Sequence, residues 1–590
     1  MLTFQDLKRL ARQLPIPSLG DPVSDDATGN TSSHSRNVTV ALLGDTATQF
    51  LAVAIRGTAI AMGFTIQLWE ADYNQVELQL QDPDSDLHRF QPQFIVVYQS
   101  SHKWCQAHAA LPADQQVTLA DRRLQFLCQV CNSASASVIY LNYSEIDDTV
   151  FGSYANRVEA SFSYQLRKMN YQLMLLAQRT SNLFICDLAA VQSQLGRQRM
   201  FDAAIYTSTE MVLSLEAVPY VAKRIVDIVA AAQGKFKKCL ILDLDNTLWG
   251  GVIGDDGLEG IQLGHTLGIG KVYSELQLWI KKLKERGIIL CVCSKNDDAT
   301  ARLPFLQHPD MVLTLDDIAV FVANWETKAD NIRYIQQVLN IGFDSMVFLD
   351  DNPAERQMVR DNITGICVPE LPGDPALWLE YLYGENLFET ANVSIHDRDR
   401  TRQYQQQVQR VQYRRGCANE AEFLTSLEMT CRVEGFTDFN IPRVAQLTQR
   451  SNQFNLRTVR YTEADISALA ADTRVMPLAF SLRDTFGDNG LIAVVVLKAY
   501  DARTLFVDTW LMSCRVLKRS MEAFTLNTIA LTAQQKGYSR IVGEYIHTAK
   551  NAMVKDLYPT LGFTPLSVGT TSARYELQLA TYTPLTCYIQ

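Results

Sequence analysis

No apolar run in this sequence approaches the roughly 20 residues that a membrane-spanning helix needs, so no membrane association is expected. Positive charge is not in excess either. Lys and Arg number 54 against 64 Asp and Glu, a formal net charge of -10. That balance argues against a general nucleic-acid binder, which carries a basic stripe. The basic cluster Lys281, Lys282, Lys284 and Arg286 reads as a solvated helix face, with an acidic protein partner as the alternative. The 12 cysteines have no framework spacing. The lone CxxC, Cys128 to Cys131, lacks the second pair that a metal site would need and reads as helix packing. Met1 to Pro15 reads as an amphipathic helix and not a secretory signal. The expected location is cytoplasmic, with reduced thiols. Internal repeats and long low-complexity tracts are also missing.

What is present is ordinary globular material. Hydrophobic residues make up 47% and charged residues 20%, enough for a normal core in each domain. At roughly 100–200 residues per domain, 590 residues imply three or four domains. Asp21 to Asn37 is polar and reads as a loop. Apolar strands at Val38–Leu43, Phe94–Tyr98, Ser137–Leu141 and Asn182–Cys186 alternate with helices, the pattern of a parallel sheet. The expected division is 1–234 for this α/β domain, 235–373 for a second one, 374–416 for a helical connector, and 417–590 for an α+β domain.

In the second α/β region three buried-strand patterns each end in polar residues. Cys239–Leu242 runs into Asp243-Leu-Asp-Asn-Thr247. Ile288–Cys293 runs into Ser294-Lys-Asn296. Met346–Leu349 runs into Asp350-Asp351-Asn352. Ligands bind at the carboxyl ends of parallel strands, so neighbouring strands would gather these groups at one edge. Lys328 follows Trp325-Glu-Thr and is placed to reach it. Clustered carboxylates repel one another unless a hard cation such as Mg²⁺ neutralises them. A lysine and a hydroxyl add donors for phosphate oxygens. One carboxylate can then attack phosphorus while a second, two residues on, moves the proton.

These motifs, in this order, resemble the haloacid dehalogenase superfamily: DxDxT as Asp243-Leu-Asp245-Asn-Thr247, then Ser294, Lys328 and Asp350-Asp351. The resemblance implies that Asp243 is the nucleophile and a Mg²⁺ ligand. Asp245 becomes the general acid and base, with its backbone carbonyl on the metal. Thr247, Ser294 and Lys328 bind phosphate. Asp351 completes the metal site together with Asp350, which also orients Lys328.

A narrower resemblance follows. Asp243 to Leu258, Cys293-Ser-Lys-Asn296, Trp325-Glu-Thr-Lys328 and Leu349-Asp-Asp-Asn-Pro-Ala-Glu-Arg356 look like the FkbH-like family. So do Gln446 to Asn455, Phe486-Gly-Asp-Asn-Gly490, Met512-Ser-Cys-Arg-Val516 and Thr548-Ala-Lys-Asn551. The family implies an enzyme that takes 1,3-bisphosphoglycerate and loads a glyceryl unit onto the phosphopantetheine thiol of an acyl carrier protein, for polyketide-type biosynthesis. No Asp-Ser-Leu carrier site is found, so the carrier is expected in trans. The fold this implies is α/β multidomain: a Rossmann-like haloacid dehalogenase core flanked by an SGNH-like α/β domain and a GNAT-like α+β domain.

Hydrolysis of the acyl phosphate would waste the activated carbonyl. A thiol acceptor is therefore needed, and Cys514 beside Arg515 is the candidate. A buried structural cysteine is the alternative reading, and Cys293 is the rival acceptor. His547 reads as a general base or as a structural histidine. The N-terminal region carries Gly44-Asp45-Thr46 where SGNH hydrolases place a serine, and Asp187 and Asp202 lack a partner histidine, so a degenerate domain is expected. The stretch Arg515–Met521 lacks the glycine of a coenzyme A pyrophosphate turn; Lys518 and Arg519 remain as charges for phosphate. A plain phosphatase on another small ester, and a non-catalytic assembly protein, stand as alternatives.

Overall fold

The computed structural model describes residues 2–13, 38–266, 268–394, 397–548 and 550–590, so the expected loop at 21–37 lies outside the described residues. The chain forms two compact units, 1–232 and 233–590. No described helix is long and apolar enough to cross a membrane.

In the first unit five parallel strands line up in the order β2-β1-β3-β4-β5: β1 Val38–Gly44, β2 Ile66–Glu70, β3 Phe94–Tyr98, β4 Ser137–Leu141 and β5 Leu183–Cys186. Side chains alternate across a strand. Val40 and Leu42 accordingly join one core and Ala41 and Leu43 the other, and helices cover both faces. The expected N-terminal helix spans Phe4–Ala11, with Thr3 capping it. It lies on the helix Gln49–Ala61 at Gly57, where a Cβ would meet the Leu7 carbonyl oxygen at 2.2 Å. The two aspartates without partner histidines are helix caps: Asp187 accepts from Ala190 N, and Asp202 from Ala204 N and Ile205 N.

The second unit holds two sheets. The first is parallel, ordered β8-β7-β6-β9, with β6 Cys239–Leu242, β7 Ile289–Ser294, β8 Ile318–Ala323 and β9 Met346–Leu349. The chain moves outward from β6 to β8 and then returns to β9 on the far side of β6. That reversal opens a crevice at the carboxyl end of β6. The connector region carries helices Trp378–Glu385 and Arg400–Arg414. The last sheet has seven strands, ordered β10-β11-β12-β13-β14-β16-β15: β10 Thr430–Glu434, β11 Val475–Asp484, β12 Gly487–Ala499, β13 Thr504–Met512, β14 Arg540–Ile546, β15 Thr564–Val568 and β16 Ser572–Gln578. All its neighbours are antiparallel except β13 and β14. The result is an α/β multidomain architecture with a mixed α+β C-terminal region.

Candidate functional site

Register brings the three motif-bearing strands to one edge. Leu242 pairs with Val292 on one side and Leu349 on the other, so Asp243, Cys293 and Asp350 emerge level with one another. All four residues of β6 and of β9 are buried, which fixes the strands and leaves the first polar residue at the sheet's end.

Three carboxylates meet there. Oxygens of Asp243, Asp350 and Asp351 lie within 4.8 Å of one another. Lys328, at the start of the helix Lys328–Leu339, bonds to Asp350 and lies 3.0 Å from Asp243 Oδ2. Burial works against the Lys328 ammonium, yet Asp243 and Asp350 more than offset it and raise its pKa. Asp350 is lifted to about 7, first by burial and then by the Asp243 charge. Asp351 is raised by the same two causes. Three crowded carboxylates served by one lysine carry surplus negative charge, the donor set that a hard divalent cation fits.

Asp245 has a different setting. Its Oδ1 accepts from Trp249 Nε1 at 3.0 Å and Ile253 N at 2.9 Å, and its Oδ2 from Asn296 Nδ2 at 3.0 Å. Burial raises its pKa against these bonds. The carboxylate is not part of the three-carboxylate cluster.

Thr247 ties two motif loops together. Its hydroxyl donates to Asp351 Oδ1 at 3.3 Å and accepts from Asp351 N at 3.1 Å, so its hydrogen is already engaged. Ser294 is buried at the end of β7. Asn352 caps the following helix and also donates from its backbone N–H to Asp350 Oδ1 at 2.9 Å.

Two contributors have no role in the sequence reading. Asn296 holds Asp245. Arg356, 4% exposed, donates to the Asp350 and Asp351 carbonyls at 2.8 and 2.7 Å and pairs with Glu370. Both lie inside motif segments already singled out. Their sequence neighbours are polar and mostly exposed, so no local pattern marks either residue for its role.

Cys514 is not at this edge. It is half-buried among Tyr404 and Asn340, whose Nδ2 donates to the Cys514 carbonyl at 3.0 Å. It lines a cavity of about 500 Å³ together with Lys238, Arg400, Arg443, Arg450 and Arg515. The rival Cys293 is fully buried, with Sγ 3.7 Å from the Lys328 carbonyl, and burial drives its thiol pKa far up. His547 is exposed, with Nδ1 3.2 Å from the Tyr545 hydroxyl. Arg519, read as a charge for phosphate, is 4% exposed and bonded to Asp484, which also takes Arg410. Of the CxxC pair, Cys131 is buried in the first unit's core and Cys128 packs against it. In the basic cluster Lys282 pairs with Glu285 and Lys284 with Asp317.

A family model described as the FkbH N-terminal domain matches residues 39–230. The N-terminal part of a Bacteroides fragilis protein, containing a phosphatase domain and solved in complex with Mg, is 56% identical. That match covers 66% of this chain and 100% of the other, at a TM-score of 0.62. Much weaker likenesses include the Escherichia coli ribosomal-protein-S18-alanine N-acetyltransferase, at 13% identity and a TM-score of 0.21 over 26% of this chain and 97% of that one. No curated protein matches. Taken with the motif segments above, the B. fragilis relative, matched over its whole length, decides the assignment: the chain belongs to the FkbH-like family of the haloacid dehalogenase superfamily.

Proposed function

We propose that the chain is a Mg²⁺-dependent phosphatase that also transfers a glyceryl unit. The donor is 1,3-bisphosphoglycerate, and the acceptor is the phosphopantetheine thiol of an acyl carrier protein supplied in trans. The observation that carries the phosphatase half is the cluster of Asp243, Asp350 and Asp351 bridged by Lys328, with Asp245 held two residues away from the nucleophile position. The relative solved with Mg supports the choice of ion.

Asp243, Asp351 and the Asp245 carbonyl would hold Mg²⁺, while Asp350 keeps Lys328 in place. When bound, the ion neutralises the charge that builds on the transferring phosphoryl group. Asp243 attacks phosphorus, and the ester P–O bond breaks. The departing alcohol oxygen takes its proton from Asp245. Asp245 then removes a proton from the water that hydrolyses the aspartyl phosphate. Lys328 and Ser294 hold phosphoryl oxygens throughout. Thr247 can join them only by rotating its hydroxyl away from Asp351.

In the transfer half, the Cys514 thiol attacks the acyl carbonyl. A C–S bond forms, the C–O bond to phosphate breaks, and the thiol proton leaves on the released phosphate. The carrier thiol then takes the acyl group by thioester exchange. Intact-mass spectrometry tests both halves with Mg²⁺, 1,3-bisphosphoglycerate and a phosphopantetheinylated carrier. Asp243→Asn is expected to lose phosphate-ester hydrolysis by at least about 100-fold, as removal of a nucleophile implies. Cys514→Ala is expected to form no enzyme adduct. Phosphate release without an adduct on either protein would leave a plain phosphatase.

A further inference from the structure

The cavity beside Cys514 sits at the opposite edge of the parallel sheet from Asp243. Lys238, Ile289 and Ser345 line it, and each stands at the entry of a strand whose exit carries the phosphatase motifs. Along β6, Lys238 and Asp243 are five residues apart, about 16 Å at roughly 3.3 Å per residue. A second ruler agrees. The helix Lys328–Leu339 begins with the lysine on Asp243 and ends at Asn340, which holds the Cys514 carbonyl. Its 12 residues span about 18 Å at roughly 1.5 Å each. A buried sheet lies between the two places.

The cavity is cationic beyond what its own carboxylates neutralise. Lys238, Arg400, Arg443, Arg450, Arg515 and Lys550 line it. Asp344 pairs with Lys550, and Asp397 pairs with Arg400 and Arg450. Among the described residues Lys238, Arg443 and Arg515 have no carboxylate in ion-pair range. Lys238 donates to the Arg450 carbonyl at 3.0 Å, Arg443 to the Gln446 side chain, and Arg515 to the Asn489 carbonyl at 3.2 Å. Arg515 is only 7% exposed. Burial, followed by the like charges of Arg515 and Arg400, depresses the Arg443 pKa; burial alone leads the fall of Lys238 to about 8. Arg515 is buried and Lys238 and Arg443 half-buried, and cations so placed with no carboxylate at ion-pair distance are costly and favour an anion. Guanidinium forks match the oxygens of phosphate, and about 500 Å³ suits a small metabolite.

We propose that this cavity is a second phosphate site, which holds a phosphorylated acyl donor by its phosphate with its carbonyl at Cys514, so that acyl capture and phosphate-ester hydrolysis occur at opposite edges of one sheet. The donor's part in this rests on Cys514 being the acceptor, as read above; the phosphate site does not. An acyl group on Cys514 keeps its ester phosphate, because Asp243 lies across the sheet. Only a mobile thiol, the carrier's arm, can bring that phosphate to Asp243.

Calorimetric titration of the full chain in metal-free buffer, with 3-phosphoglycerate as probe, tests the site. Iodoacetamide labelling of Cys514, read by peptide mass, locates the binding. Saturable binding that protects Cys514, weakened at least about ten-fold in Arg443→Gln and largely restored in Arg443→Lys, is expected. Phosphopantetheine run as a second probe separates the two sources of phosphate. Protection by phosphopantetheine alone would overturn the proposal in favour of a carrier-arm channel, and no binding of 3-phosphoglycerate would overturn it outright. Binding without any Cys514 adduct from 1,3-bisphosphoglycerate would remove the acceptor role and leave the phosphate site standing.

Discussion

Asn296 holds one oxygen of Asp245 while Trp249 and Ile253 hold the other, so the carboxyl proposed to give and take a proton is fixed in direction. Asn296→Ala frees that oxygen and lets the carboxyl turn. The expected result is a fall in kcat of about ten-fold or more with KM little changed, the usual cost of losing an outer support. Its pH–rate profile should shift as well, which a purely structural defect would not cause. A second residue-scale prediction concerns Asp45 in the first unit. Burial lifts its pKa to about 7 from an ordinary 3.8, against the Ser100 N–H bonds and the Arg123 charge. A carboxyl with a raised pKa binds its proton more tightly in the folded chain. It therefore costs stability progressively as pH climbs from about 4 to about 7, and fully above that. Thermal melts between about pH 5 and pH 8 should slope less in Asp45→Asn than in wild type; equal slopes would contradict this. At this scale the sequence displayed identities but not partners. Asp243 and Asp351 stood out because they follow apolar strand patterns, and Lys328 by its place after Trp325-Glu-Thr; the structure brings the three together. The bond from Asn296 to Asp245 joins residues 51 positions apart, and no local pattern encodes it.

Among the elements, the strands with long apolar runs were legible, and two edge strands were not. β2, Ile66–Glu70, alternates weakly and is only partly buried, because an edge strand has fewer neighbours. β8, Ile318–Ala323, is a short continuous apolar run, which periodicity alone does not separate from a piece of buried helix. Both lie outside the strands read from the sequence. The helix Arg400–Arg414 was read only as part of a charged connector. Tyr404 on that helix packs into the core of the parallel sheet, and Gln405 donates to the Asp316 and Ile318 carbonyls at 3.2 and 3.0 Å. Its polar surface hid that role, since most of its apolar contact comes from a few residues.

For the molecule as a whole, the sequence order of the motifs gave no hint that Cys514 and Asp243 stand at opposite edges. Both lie near strand or helix ends, and which edge a distant segment meets is decided by tertiary packing. The same packing bears on how the protein can be shortened. β8 is the outer strand of its sheet, and the segment that accompanies it begins only at Arg400. A fragment stopped before that residue keeps every phosphatase motif but strips Tyr404 and Gln405 from the sheet. An uncovered strand edge is a template for another copy. Such a fragment should elute from a sizing column as a self-associated species at concentrations where the full chain does not, and a monomeric fragment would argue against that cover. Colloidal behaviour, and not catalysis, would then set how early the chain can end.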